Sequence, residues 1–350
     1  MIVLSISSDR SIFDPSSASA RRQIAYGDCL GSLHIIVFSL KRQEYAPTVL
    51  SQKVHVYPTS SRSRFFYIFD ALRLAKKLSK PDVVTVQDPF EAGITGRLIA
   101  RRFNAPLHVQ VHTDFLSLAF AKLSYLNRVR VMLAGFVLRR ARRIRVVSER
   151  IRKSIEGHYH LQAPMTVLPI FVNVAKFRDA EPLSESMWKT KYKYMLLVVS
   201  RNAPEKNIQL AIDSFEKFAP KDACLIICGN IGEKDIVDQR LGRIYYVSLD
   251  PAQLYKTYKS ADLVLVPSKY EGYGLVIVEA LAAGKPVLAT DVGIAREAGA
   301  IVTTEEQFGN ALATWFKNGP RTGELKNYPY KNLDEYVQAY CNDIKACTKA

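Results

Sequence analysis

Apolar residues along this chain gather into short, nearly continuous runs, and the stretches between them carry apolar residues at helical spacing. The first half contains MIVLSIS, LHIIVFSL, VHVYP, DVVTVQ, LHVQVH, RIRVVS and TVLPI. The second contains YMLLVVS, ACLIICG, RIYYVS, DLVLVPS and KPVLATD. Such runs, alternating with helical segments, predict parallel strands covered by helices on both faces, an α/β class. At 350 residues the chain exceeds one usual hydrophobic core. Two doubly wound domains of roughly 150 to 180 residues, in tandem, are therefore expected. No repeat at solenoid spacing is visible.

VLPIFVNVAKFRDAEPLSES, with its prolines, charges and serines, places the boundary near Pro169 to Glu185. The expected parts are residues 1–172, residues 173–330 and a closing helix-patterned segment, 331–350. Its LDEYVQAYCNDIKACTK can pack on either domain, back on the N-terminal one included.

Hydrophobic residues make up 48% and charged residues 23%, which excludes disorder over most of the length. Cys29, Cys224, Cys228, Cys341 and Cys347 are scattered, odd in number and without the paired spacing of metal ligands. Neither a disulfide framework nor a zinc site is expected. Cys224 and Cys228, inside ACLIIC, read as buried thiols. The start MIVLSISSDR lacks the leader of a signal peptide, and no apolar run approaches the ~18 residues of a membrane span. A reducing, cytoplasmic setting is expected.

Charge changes the picture. Lys and Arg number 49 against 33 Asp and Glu, a formal charge of +16, which implies an anionic partner: nucleic acid, an acidic membrane surface or phosphorylated substrates. The excess is densest from Lys122 to Lys153, where nine arginines face only Glu149 and interleave with residues such as Tyr125, Met132 and Phe136. This is the pattern of a basic helix lying on an anionic membrane, and equally of a core helix with a solvated basic face.

Chemistry concentrates in the second half. YMLLVVS runs into SRNAPEKN, which puts Arg201 and Lys206 just beyond a strand's carboxyl end, with Asn207 capping the helix IQLAIDSFEKFA. Ligands of open α/β sheets bind at that edge, so two cations there make an anion trap. ADLVLVPSKYEGYGLVIVEALAAGKPVLATD reads as strand, loop, helix and strand, the helix stopped by Gly284 and Pro286. Gly272 and Gly274 let the backbone approach a ligand where free N–H groups and the helix dipole favour phosphate. Glu271 lies in the loop. Glu279 stands two turns into an apolar helix, where a carboxylate without a partner is costly. It is either salt-bridged to a neighbouring basic residue or available to the two hydroxyls of a ribose.

The run from Glu271, Gly272, Tyr273, Gly274 and Leu275 to Glu279 and Ala280, with SRNAPEKN before it, resembles the donor-binding half of the retaining glycosyltransferases of family four, also described as glycosyl transferases group 1. That family is marked by two glutamates with seven residues between them, in the form E-G-F-G-x-x-x-x-E-A; here tyrosine replaces the phenylalanine. The resemblance covers residues 195–300 well and the first half more weakly. It implies the GT-B fold, two facing Rossmann-like doubly wound domains with a cleft between them. It also implies roles: Glu279 on the nucleotide ribose, Glu271 on hydroxyls of the donor sugar, the backbone from Gly272 and Tyr273 to Gly274 and Leu275 around the diphosphate, and Arg201 with Lys206 neutralising that diphosphate as it leaves. In FNAPLHVQVHTDF, His112 is similar to the family's strand-end histidine that points at the transferred sugar. Asp88, at another strand end, is assigned to the acceptor side. Two segments depart from the family: SSDRSIFDPSSASARRQ replaces a Gly-rich loop after the first strand, and PIFVN, from Pro169 to Asn173, replaces P-N-G-V-D.

The function implied is retaining transfer of a hexose from a nucleotide-diphosphate sugar to a hydroxyl acceptor, in glycolipid or cell-surface polysaccharide synthesis. No cofactor and no metal are expected, because two fixed cations can neutralise the leaving phosphate and no Asp-x-Asp motif is present. Expected partners are the nucleotide sugar, a lipid-linked or saccharide acceptor, and an anionic membrane met through Lys122 to Lys153, which would make the protein peripheral on the inner face. Nucleic acid is not expected. Two other readings stay open: another GT-B nucleotide-sugar enzyme, an epimerase or phosphorylase, and a non-catalytic protein that binds membrane, nucleic acid or another anion.

Overall fold

A computed structural model describes residues 1–183, 187–229 and 239–349. The chain divides into two compact units, Met1–Pro169 with Tyr330–Ala350, and Ile170–Pro329.

The first unit opens with β1 (Ile2–Ser7), α1 (Ala18–Leu30), β2 (Ser32–Val37), β3 (Thr48–Ser51), β4 (Val54–Pro58) and α2 (Tyr67–Ala75). It continues through β5 (Val83–Val86), α3 (Glu91–Phe103), β6 (Leu107–Val111), α4 (Leu118–Leu123), α5 (Tyr125–Leu138), β7 (Arg143–Val146), α6 (Glu149–His158) and β8 (Met165–Val167). The strands form one sheet in the order β3-β4-β2-β1-β5-β6-β7-β8. Its centre is dry: Val3, Ile6, Ile35, Val84, Val86, Val109 and Ile144 are fully buried. Serines 17, 124 and 148 start α1, α5 and α6, each side chain accepting a first-turn N–H that would otherwise lack a partner.

The second unit runs α7 (Val174–Arg178), α8 (Met187–Lys191), β9 (Tyr194–Val199), α9 (Ile208–Phe218), β10 (Ala223–Cys228), β11 (Gln239–Leu241), β12 (Ile244–Val247) and α10 (Pro251–Ser260). After these come β13 (Leu263–Val266), α11 (Leu275–Ala282), β14 (Val287–Thr290), α12 (Ala295–Ala298), β15 (Ile301–Thr303) and α13 (Phe308–Asn318). The sheet order is β11-β12-β10-β9-β13-β14-β15. Leu196, Val198, Phe215, Leu225, Ile227, Leu265 and Trp315 make its core. Cys224 and Cys228 are buried thiols on β10.

The last helix, α14 (Leu333–Lys345), belongs to the first unit, where it packs on α1. It covers a polar row of the sheet. β6 pairs with β5 and β7 so that His108 lies beside Thr85 and Arg143, and Gln110 beside Arg145. Residues two apart on a strand share a face, so these side chains turn together toward α14. Tyr336, Tyr340 and Asp343 of α14 meet them.

Three expectations change. Both sheets are mixed, since β3 runs antiparallel to β4 and β11 to β12, each pair at a sheet edge. The strands β3, β11 and β15 are too short to carry a recognisable alternation. The basic stretch from Lys122 to Lys153 is not one amphipathic helix: it spans the end of α4, then α5, β7 and the start of α6. Arg143 and Arg145 sit on β7 and bond residues of α14, Arg145 buried and Arg143 half-buried. Among the described residues no helix is long and apolar enough to cross a membrane.

Candidate functional site

In the second unit the polar residues gather where β9 and β13, neighbours in the sheet, end. Beyond β9, the backbone makes a short turn at Pro204–Lys206 before α9. Lys206 points across to the loop after β13, where its Nζ donates to Glu271 Oε1 at 2.6 Å. Ser268 Oγ donates to the same oxygen at 2.8 Å. Arg201 is 70% exposed and bonds Glu205 Oε1, four residues on, at 2.6 Å. The two expected cations are thus each held by a carboxylate.

Asn207 occupies the position before α9, as expected, but its side chain does not cap the helix. Its backbone is left-handed, at φ 49°, and Nδ2 donates to Glu305 instead. The left-handed residue turns the chain sharply out of the preceding turn, which aims the amide away from the first helical N–H groups.

The loop from Glu271 to Leu275 is set by backbone geometry. Gly274 precedes α11 with φ 94°, a conformation that side chains resist, and a Cβ there would meet Ile277 at 2.9 Å. Gly293 lies against the same loop: a Cβ would stand 2.3 Å from Tyr273 O. Tyr273 is buried, Gly272 is half-buried, and Leu275 opens the helix at the surface. With Gly274 as the cap residue, the first N–H groups of α11 point out of the helix toward any bound anion. At the other end, Gly284 and Lys285 N–H bond Leu281 and Ala280 carbonyls, closing the helix as the sequence pattern implied.

Glu279, on α11, lacks the basic partner that a purely structural role would give it. Among the described residues its carboxylate meets no basic group; Tyr258 of α10 donates to Oε2 at 2.7 Å. Burial raises the pKa of both groups, the tyrosine's well above its ordinary value, so the proton stays on the phenol. Oε1 has no protein partner among the described residues, and it can accept from a ligand hydroxyl.

Tyr258, Ser268, Glu205 and Gly293 were not visible as site residues. Glu205 lies in a segment singled out in advance, SRNAPEKN; the others meet the site through tertiary packing.

At the carboxyl edge of the first unit's sheet, His112 follows β6 half-buried, with Nε2 at 3.3 Å from Gln110 Oε1. Burial first, then the neighbouring Arg145, drives its pKa down to about 3, so the ring is neutral. Asp88 follows β5 and accepts from Phe90 N–H at 2.8 Å. Burial pushes it up to about 6. Among the described residues no group of three or more His, Cys, Asp or Glu is placed to hold a metal ion.

Two family models match, one per half of the chain: Glycosyltransferase Family 4 over residues 32–176 and Glycosyl transferases group 1 over residues 182–332. The chain belongs to the GT-B-fold glycosyltransferases. Among the relatives of this glycosyltransferase is the alpha-monoglucosyldiacylglycerol synthase of Streptococcus pneumoniae, 27% identical over 239 residues, which are 63% of this chain and 54% of that protein. The match thus spans about half that relative's length. The sucrose-phosphate synthase of Thermosynechococcus elongatus shares the fold, with a TM-score of 0.71 at 15% identity over 99% of this chain and 96% of that one. So does Anabaena Alr3699/HepE in complex with UDP and glucose, with a TM-score of 0.66 at 18% identity over 99% and 97%.

Proposed function

We propose that the protein transfers a hexose, with retention of anomeric configuration, from a nucleotide-diphosphate sugar to a hydroxyl acceptor. The observation that carries this reading is Glu279: a carboxylate held by Tyr258 through one oxygen, with the other open, is suited to the hydroxyls of a ribose. Around it, the N–H groups opening α11 and the cations Arg201 and Lys206 are suited to the diphosphate, and Glu271 to donor-sugar hydroxyls. Binding anions there requires Arg201 and Lys206 to exchange their carboxylate partners for phosphate oxygens, which places their charge where the leaving group develops its own. The acceptor hydroxyl attacks the anomeric carbon, and the departing phosphate, stabilised by these cations, takes its proton. No metal is required in this scheme. His112, neutral, is assigned to a sugar hydroxyl, and Asp88 to the acceptor side.

The curated relative from Streptococcus pneumoniae makes a glucosylated diacylglycerol by its name, and the Anabaena structure holds UDP and glucose. Both support a UDP-sugar donor, glucose first, and a role in glycolipid or polysaccharide synthesis. The surface of α4 and α5 supports a lipid acceptor: Leu118 is 77%, Tyr125 80% and Met132 74% exposed, flanked by exposed Lys122, Arg128, Arg139 and Arg140. Apolar side chains enter the headgroup region while the cations meet anionic lipid, giving a peripheral location on the inner face of the membrane.

The deciding experiment is thermal stabilisation of wild type and Glu279→Ala by UDP, GDP and ADP sugars. One base should stabilise the wild type by several degrees, and the variant should lose that shift. Absence of a shift with every donor would overturn the reading in favour of a binding protein.

A further inference from the structure

The polar row beneath α14 has no part in the chemistry above, yet the hydrogen-bond directions linking Arg145, Gln110, Thr85, His108 and Asp343 can be assigned. Arg145 is 2% exposed and pairs with no carboxylate among the described residues. Its guanidinium donates to Leu168 O at 3.1 Å, Tyr336 Oη at 3.1 Å and Gln110 Oε1 at 2.7 Å, and lies over the ring of Tyr340. A guanidinium only donates, so it is the oxygen of Gln110 that faces Arg145. The amide nitrogen of Gln110 then donates to Thr85 Oγ1 at 3.2 Å and Tyr340 Oη at 3.0 Å. Thr85 in turn donates to His108 Nδ1 at 2.8 Å, and His108 Nε2–H to Asp343 Oδ2 at 3.0 Å. Asp343 is held by Arg143 on its other oxygen. Gln110 is therefore oriented from both ends.

The second fixed point is His112, whose Nε2 lies 3.3 Å from that same Gln110 oxygen. The oxygen can only accept, so Nε2 carries the proton. Nδ1 is left as a lone-pair acceptor, with no partner among the described residues and not enclosed.

We propose that Gln110, held by Arg145 and Tyr340, is a positioning residue that fixes His112 as its Nε2–H tautomer and presents Nδ1 to a hydroxyl of a bound sugar. The tautomer stands on the geometry alone; the sugar as ligand rests on the proposed function. Burial, with the positive charges of Arg145 and Arg22 and the nearby His108, keeps the ring neutral. An acceptor-only nitrogen takes a hydroxyl and repels a carboxylate in the same place, so the arrangement selects a neutral hexose over a uronic acid.

The test is nitrogen-15 NMR of the full chain labelled at histidine, with His112 signals assigned by their loss in His112→Gln. Wild type should show protonated Nε2, unprotonated Nδ1 and no titration between about pH 5 and 8. Gln110→Leu should mix the tautomers, moving the Nδ1 and Nε2 resonances toward each other. The milder Tyr340→Phe should do so in part while keeping Tm near wild type. A wild-type His112 in the Nδ1–H form, or signals unmoved by Gln110→Leu, would overturn the positioning role. Addition of UDP-glucose should shift the Nδ1 resonance and UDP-glucuronate should not; equal shifts overturn the hydroxyl selection. Should neither sugar nucleotide bind, the UDP-sugar donor and the sugar assignment fall together, while the tautomer is still decided by the spectra without ligand.

Discussion

The phenol of Tyr258 donates to the carboxylate of Glu279 at 2.7 Å, joining α10 to α11 through a half-buried acid that has no basic partner among the described residues. Tyr258→Phe removes that donor and leaves the acid to be solvated by nothing on one side. The expected cost is about 1–2 kcal/mol of stability. Because the carboxyl pKa is already raised and would rise further, nucleotide affinity should drop by roughly tenfold at neutral pH and by more in mild acid, where the acid takes a proton. Calorimetric titration with UDP across pH checks this; an affinity indifferent to the substitution would remove Glu279 from the ribose.

Glu205 holds Arg201 at 2.6 Å, and Glu271 holds Lys206 at 2.6 Å. Under the proposed function the two pairs differ in consequence. Lys206→Gln removes a cation from the leaving group and should lower kcat by about 10²–10³. Glu205→Gln releases Arg201, which need no longer part from a carboxylate to meet phosphate, so nucleotide affinity should rise several-fold. Weaker binding in Glu205→Gln would mean that the carboxylate aims Arg201 rather than restrains it.

Asp88 offers a pH signature. Its folded pKa, about 6, lies above the ordinary 3.8, so between these values the native state binds the extra proton. Stability from this group therefore grows as pH falls from above 6 to below 3.8, and the ionised form is a cost at neutral pH. Asp88→Asn, which keeps the oxygen that accepts from Phe90, should stabilise the protein on the order of 2 kcal/mol at pH near 7.5 and by nothing near pH 4. Denaturant midpoints at the two pH values decide it, and equal effects at both would show that burial does not govern this carboxyl.

The membrane reading makes its own demand. Wild type should co-sediment with vesicles containing anionic lipid at low salt and release as salt rises. Met132→Glu places an acid in the exposed apolar stripe of α5 and should reduce the bound fraction several-fold without changing Tm, since that side chain is 74% exposed. Vesicle binding undiminished by the substitution would assign the attraction to other basic surfaces.

How far the sequence told this in advance depends on where each signal sits. The long strands were readable because buried parallel strands need unbroken apolar runs, as Met195 to Val199 and Ala223 to Cys228 show. The acids at 271 and 279 were readable because the glycine-bounded loop and its helix lie in one continuous stretch. Tyr258 and Ser268 were not, because their value lies in meeting Glu279 and Glu271 in space. Gln110 and Arg145 were hidden differently: LHVQVH and RIRVVS read as apolar strands, and nothing local says that the polar residues of both, at matching register, turn toward a helix more than 180 residues later. The Arg-rich run misled for the same reason, since Arg145 contributes to its charge count but lies in the interior.

Because α14 completes the first unit, a ribosome that has made residues 1–169 has not yet made the partners of Arg145 and His108. The nascent segment must wait, with Arg145 and the strand histidine His108 uncovered, until α14 has been synthesised. Severing the polypeptide before Leu333 would therefore deprive the earlier-made segment of its own interior lining.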